Sequence, residues 1–166
     1  MDAARLKSLL NLKPLGFEGG YYAETYRSSE SISREKLPAR YSGPRSISTA
    51  IYYLLEPHTF SALHRVASDE IFHFYMGDPV EMLQLFPDGS GKIVLIGQDL
   101  ERGMAPQVVA PRGVWQGSRL LGNGKFALLG CTVSPGFDFA DFESGSRDLL
   151  SHSYPQFREM IYALTT

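Results

Sequence analysis

The feature that most constrains this chain is a succession of short runs rich in aromatic and β-branched residues, closely spaced and separated by turn residues. The runs are YYAETYR from Tyr21, ISTAIYYLL from Ile47, FSALHRV from Phe60, EIFHFYM from Glu70 and VEMLQLF from Val80. They continue with KIVLIGQ from Lys92, QVVA from Gln107, VWQGSRL from Val114, KFALLGCTV from Lys125 and GFDFADF from Gly136. Each reads as a strand. PDGSG after Phe86, PRG before Val114 and GNGK after Leu121 punctuate them at the spacing of hairpins and meanders. Parallel sheets need crossover helices, and none fits between these runs. About ten short strands without crossovers leave a sandwich or a barrel.

Helical spacing is confined to the two ends. Leu6, Leu9 and Leu10 follow a possible Asp2 cap and stop at Pro14 and Gly16, while Phe157, Met160, Ile161 and Leu164 follow Pro155. The stretch from Ser31 to Arg45 has no apolar period and reads as a long loop, of the kind that is either mobile or a cover over a site. With 166 residues and 43% hydrophobic content, the chain is expected to form one domain over residues 1–166 with its own core.

Charge and cysteine usage narrow the functional classes. Sixteen basic and 18 acidic residues give a formal net charge of -2, which offers no positive field for a polyanion, so nucleic acid is excluded as an expected partner. The opening MDAARLKSLLNL lacks a signal-peptide pattern and no apolar run approaches a membrane span, so a soluble, cytoplasmic protein without a membrane partner is expected. The lone Cys131, inside FALLGCTV, rules out an internal disulfide framework and reads as buried and inert.

The chemistry concentrates in SALHRVASDEIFHFYMG. Strand alternation places Ala62, His64 and Val66 on one face, and Glu70, Phe72 and Phe74 on one face of the next strand. In PRGVWQGSRL the same rule groups Val114, Gln116 and Ser118, and turns Trp115 the other way, under a helix or a subunit interface. If these faces point inward, an imidazole, a carboxylate, an amide and two phenyl rings share a pocket. A carboxylate is rarely buried without a partner, so Glu70 among Ile71, Phe72 and Phe74 favours a site over a merely satisfied hydrogen-bonded pair. Glu18, Gly19 and Gly20 read as a structural turn. Arg65 and Asp69 read as candidates for structural ion pairs at the rim.

These residues resemble the cupin superfamily, a mainly β, double-stranded β-helix (jelly-roll barrel) fold, here with short N-terminal and C-terminal helices. Its first motif runs histidine-x-histidine, a gap, glutamate, six residues and glycine; His64, Glu70 and Gly77 fit, with Val66 at the second histidine. Its second runs proline-x-glycine, two residues and histidine; Pro111 and Gly113 fit, with Gln116 in place of the histidine. GFEGGYYAETYRS, STAIYYLL, HRVASDE, GDPVE, PQVVAPRGVWQ, GCTVSPGFDFADFE and YPQF are similar to an uncharacterised single-domain cupin group. Its members resemble sugar-nucleotide epimerases in fold and tend to be dimers.

The resemblance implies a homodimer with a small-molecule ligand, and it frames three readings of the site. In the first, a metal-independent isomerase or epimerase of a carbohydrate-like substrate uses His64 as base, with Glu70 setting its charge state. The epimerases use a histidine at the position of Leu63–His64, an orienting aspartate, for which Asp138 and Asp141 are candidates, and a tyrosine acid with no clear match near FALLGCTV. In the second, a binding protein uses Gln116, Phe72, Phe74 and Tyr53 as ligand contacts without chemistry, most of Tyr21, Tyr22, Tyr52 and Tyr53 being packing residues. In the third, a metal enzyme uses a reduced set. Metal-dependent cupins hold their ion with three histidines and a glutamate, and neither Val66 nor the Gln116 amide replaces imidazole well. The expectation is therefore no resident cofactor, with His64, Glu70 and Gln116 the ligands of any weakly bound divalent ion.

Overall fold

The computed structural model describes residues 1–166. In chain order the strands are β1 (Lys13–Pro14), β2 (Tyr21–Arg27), β3 (Ser31–Ile32), β4 (Arg45–Ser46), β5 (Thr49–Leu55), β6 (Ser61–Arg65) and β7 (Asp69–Gly77). They continue as β8 (Val80–Leu85), β9 (Gly91–Ile96), β10 (Gln107–Ala110), β11 (Trp115–Leu120), β12 (Ala127–Ser134) and β13 (Glu143–Ser144). One antiparallel sheet has the order β1-β2-β5-β12-β7-β10 and faces a second of order β13-β6-β11-β8-β9, as in a jelly roll. Three short helices flank the sheets: α1 (Ala3–Leu9), α2 (Arg147–Ser153) and α3 (Arg158–Ala163). None is long and apolar enough to cross a membrane.

The barrel forms because alternation sends one face of each strand inward. Tyr53, Leu55, Phe72 and Leu129 of the first sheet meet Val80, Met82, Ile96 and Leu120 of the second in the main core. Each such fully buried side chain stabilises the fold by roughly 1.5–3 kcal/mol. The opposite faces are covered by the helices. Leu63, Leu83 and Leu85 pack with Trp115 under Leu150, Tyr154 and Ile161, so Trp115 lies beneath helices as its alternation required. Leu54 and Leu128 pack under Leu6, and Asp2 caps α1 by accepting from the Arg5 N–H.

Three segments depart from the sequence expectation. GFDFADF is not a strand: Phe139–Asp141 is a 3-10 turn whose start Asp138 caps through the Ala140 N–H, a local bond that competes with strand pairing. Helix α2 arises where no helix was expected, capped by Ser146. The stretch from Ser31 to Arg45 holds the β3–β4 hairpin and is tied down rather than loose. Tyr41 is wholly buried against Ser68, and Arg45 makes a buried, bidentate pair with Asp141 at 2.7 and 2.5 Å. That pair couples the hairpin to the 3-10 turn.

Candidate active site

A cavity of about 310 Å³ opens at one end of the barrel, and His64 and Glu70 line it. His64 comes from β6 and Glu70 from β7, while Gln116 of β11 sits opposite His64 in the register. All three are buried, and they converge. The Gln116 amide nitrogen donates to Glu70 Oε2 at 2.6 Å and lies 3.3 Å from His64 Nε2. Its oxygen is buried without a partner.

The imidazole has a defined polarity. Nδ1 lies 2.7 Å from the Ala62 carbonyl, which can only accept, so Nδ1 carries the hydrogen and Nε2 of the neutral ring presents its lone pair. Phe142 stacks on the ring at 5.0 Å and 21°. Burial, and then the Glu18 carboxylate, push the Glu70 carboxyl up to about 7, against the opposing effects of His64 and Gln116. Burial also raises the Cys131 thiol well above its ordinary value, with Glu70 adding to it. Cys131 is buried, as its sequence context suggested, and its protonated thiol lies on the cavity wall.

Glu18 is the residue that sequence reasoning missed. It lines the cavity, and its Oε2 lies 3.9 Å from His64 Nε2. Its Oε1 accepts from Ser61 Oγ at 2.7 Å, and its carbonyl accepts from the Ala62 N–H. Gly19 and Gly20 make the structural turn that was expected, at φ of 103° and 68°. A Cβ on Gly19 would lie 2.1 Å from the Phe60 carbonyl oxygen, so that glycine lets the Glu18 backbone lie against β6. The turn signal was legible; its cargo was not.

Several proposed contacts lie elsewhere. Phe72 and Tyr53 are core residues and Phe74 packs against the same core; none of the three lines the cavity. The Tyr53 hydroxyl donates to the Gly19 carbonyl at 2.9 Å, and it is Tyr22 that lines the cavity. The phenyl rings at the cavity are Phe17, Phe137 and Phe139, with edge-to-face contacts from Phe139 to both of the others. Neither aspartate orients His64. Asp141 is committed to Arg45, and Asp138 caps the turn. At the rim Arg65 pairs with Glu143 and Asp69 accepts from the Arg112 N–H.

The donor set does not fit a transition-metal ion of the cupin type. The amide hydrogens of Gln116 already engage both His64 and Glu70, and Val66 offers no donor. No three side chains among His, Cys, Asp and Glu are grouped as an ion would require.

The chain is similar to known proteins in sequence and in fold. The family described as "Cupin superfamily (DUF985)" matches residues 5–145. An uncharacterised protein of Saccharomyces cerevisiae is 36% identical over an alignment of 132 residues that covers 75% of this chain and 66% of that protein, so just under two thirds of the yeast relative is spanned. A hypothetical protein from Leishmania major superposes with a TM-score of 0.88 at 32% identity, over 99% of each chain. A protein from Shewanella oneidensis does so with the same score and identity, over 100% of this chain and 98% of its own. Oxalate decarboxylase from Bacillus subtilis shares only the fold, with a TM-score of 0.52 at 15% identity over 89% of this chain and 35% of its own.

Proposed function

The chain belongs to the DUF985 family of the cupin superfamily, and on that premise we propose that it is a metal-independent isomerase or epimerase of a small, carbohydrate-like molecule. The observation that carries this reading is the His64 Nε2 lone pair on the wall of a cavity, met by the Gln116 N–H at a long 3.3 Å that a substrate displaces, beside a carboxyl that titrates near neutrality. A neutral imidazole accepts a proton from carbon next to a carbonyl. The resulting imidazolium keeps its Nδ1–H on Ala62, meets the Glu18 carboxylate, and can return the proton to carbon from Nε2, with Glu70 setting its charge state. The Phe142 ring keeps the imidazole plane fixed during the transfer.

The test is deuterium uptake. Aldoses, ketoses and amino sugars are incubated in D2O with the protein and with His64→Asn, and the carbon beside the carbonyl is read by mass spectrometry. Incorporation that needs His64 supports the reading; no incorporation, or incorporation unchanged in the variant, defeats it.

A second reading, a non-catalytic binder, is favoured by the Gln116 N–H that already faces Nε2 at 3.3 Å. Retention of a compound without exchange or conversion would select it. We also propose a homodimer, supported by the exposed Tyr75 and Val109 on the outer face of the first sheet. Val109→Lys is expected to shift sedimentation to a monomer, and a wild-type monomer would refute the dimer.

A further inference from the structure

The polar groups at the inner end of the cavity share one property: they accept hydrogen bonds and have few to give. The Glu18 and Glu70 carboxylates line it, together with the 41% exposed Glu24. Gln116, which does not itself line the cavity, uses its amide nitrogen on Glu70 and His64, and His64 uses Nδ1 on the Ala62 carbonyl. Thr49 Oγ accepts from the Phe137 N–H. The one guanidinium, Arg27, pairs its charge with Glu24 at 3.0 and 2.8 Å and gives a third N–H to the Phe137 carbonyl at 3.2 Å, leaving two N–H uncommitted. No unpaired cation lines the cavity, and the adaptable hydroxyls are those of Thr49 and Tyr22.

Such a wall penalises an anionic ligand twice. A phosphate or carboxylate would meet two carboxylates and would leave their lone pairs desolvated without donors. An ammonium group answers both problems, because it brings three donors and no acceptor together with the opposite charge. The mouth suits the rest of such a molecule. Phe17, Phe137 and Phe139 offer phenyl faces that tolerate a nearby cation and cover an apolar ring skeleton.

We propose that this cavity selects a small organic cation: a ring-sized, hydroxylated molecule whose primary ammonium is held against Glu18 and Glu70, rather than a phosphorylated or acidic sugar. The inference rests on reading the cavity as the ligand site and adds the charge of what enters it. It also carries a proton signature. Because the Glu70 carboxyl is pushed up to about 7, a cation bound beside it drives the proton off, and its affinity falls as pH drops through 7. Glu18, His64, Gln116 and Cys131 are the groups that face Glu70 in this balance.

Three probes that differ in one group test it by calorimetry at pH 7: 4-aminocyclohexanol, cyclohexane-1,4-diol and 4-hydroxycyclohexanecarboxylate. The amine is expected to bind about tenfold or more tightly than the diol, and the carboxylate more weakly than either. Glu18→Gln keeps an acceptor for Ser61 and is expected to weaken the amine by at least tenfold more than it weakens the diol. Titrations in two buffers of different ionisation enthalpy are expected to show proton release with the amine. A carboxylate that binds best, an amine no tighter than the diol, proton uptake, or no binding of any probe overturns the proposal. The deuterium experiment uses no charge series, so the isomerase reading stands or falls separately.

Discussion

Gln116 and His64 are register partners on neighbouring strands, and the amide nitrogen of one lies 3.3 Å from Nε2 of the other. The same nitrogen lies 2.6 Å from Glu70 Oε2, so a single side chain ties the imidazole to the buried acid. Its hydrogens fix the polarity of both neighbours: the ring presents a lone pair and the carboxyl presents an acceptor oxygen.

Glu70 makes the fold less stable as pH rises. Its folded carboxyl titrates at about 7 against an ordinary 4.5, so between those values the folded state binds more protons than the unfolded chain. The favourable contribution is complete below 4.5 and is lost as pH climbs to 7, by on the order of 3 kcal/mol. Glu70→Gln, which still accepts from Gln116, is expected to be more stable than wild type at pH 8 and to lose that advantage near pH 4. Urea unfolding at both values checks this, and parallel pH profiles for the two proteins would contradict it.

The Arg45–Asp141 pair is predicted to hold the site's aromatic cover as well as the hairpin. Both side chains are nearly inaccessible, at 3% and 4%, and the segment Asp141 anchors carries Phe142 against His64. Asp141→Ala leaves a buried guanidinium unpaired and is expected to cost roughly 3–5 kcal/mol in denaturant unfolding. Arg45→Met with Asp141→Leu is expected to recover most of that stability. A single variant as stable as wild type would show the pair to be dispensable.

Much of this site was legible in the sequence. Alternation placed His64 and Glu70 on inward faces because strand geometry leaves a residue only two directions to point. The inference weakened where it moved from face to depth. Phe72 shares a face with Glu70 but sits two residues further along, in the core rather than at the cavity, and Tyr53 is buried with its hydroxyl satisfied by Gly19. GFDFADF misled because its spaced phenylalanines mimic a strand, whereas Asp138 makes a turn. Glu18 escaped because its place depends on a close approach between β6 and a turn far from it in sequence. Helix α2 had a usable signal, Ser146 before Leu149 and Leu150, and was overlooked.

Restoring the missing histidines should restore the ion site. His64 and Gln116 face each other across β6 and β11, and Val66 lines the same cavity. Val66→His with Gln116→His is expected to raise affinity for Mn²⁺ or Fe²⁺ by about tenfold or more, as imidazole replaces an alkyl group and an amide. Elemental analysis after dialysis against the ion reads it. Equal metal content in variant and wild type would show that the two replaced positions do not control binding.

Proton abstraction by His64 requires the hydrogen of the neutral ring on Nδ1 and none on Nε2. Long-range nitrogen–proton NMR of the imidazole at pH 8 reads this directly. A protonated Nδ1 and a bare Nε2 are predicted, from the Ala62 carbonyl at 2.7 Å. A spectrum with the hydrogen on Nε2 would remove the proton acceptor from the cavity and contradict the proposed chemistry.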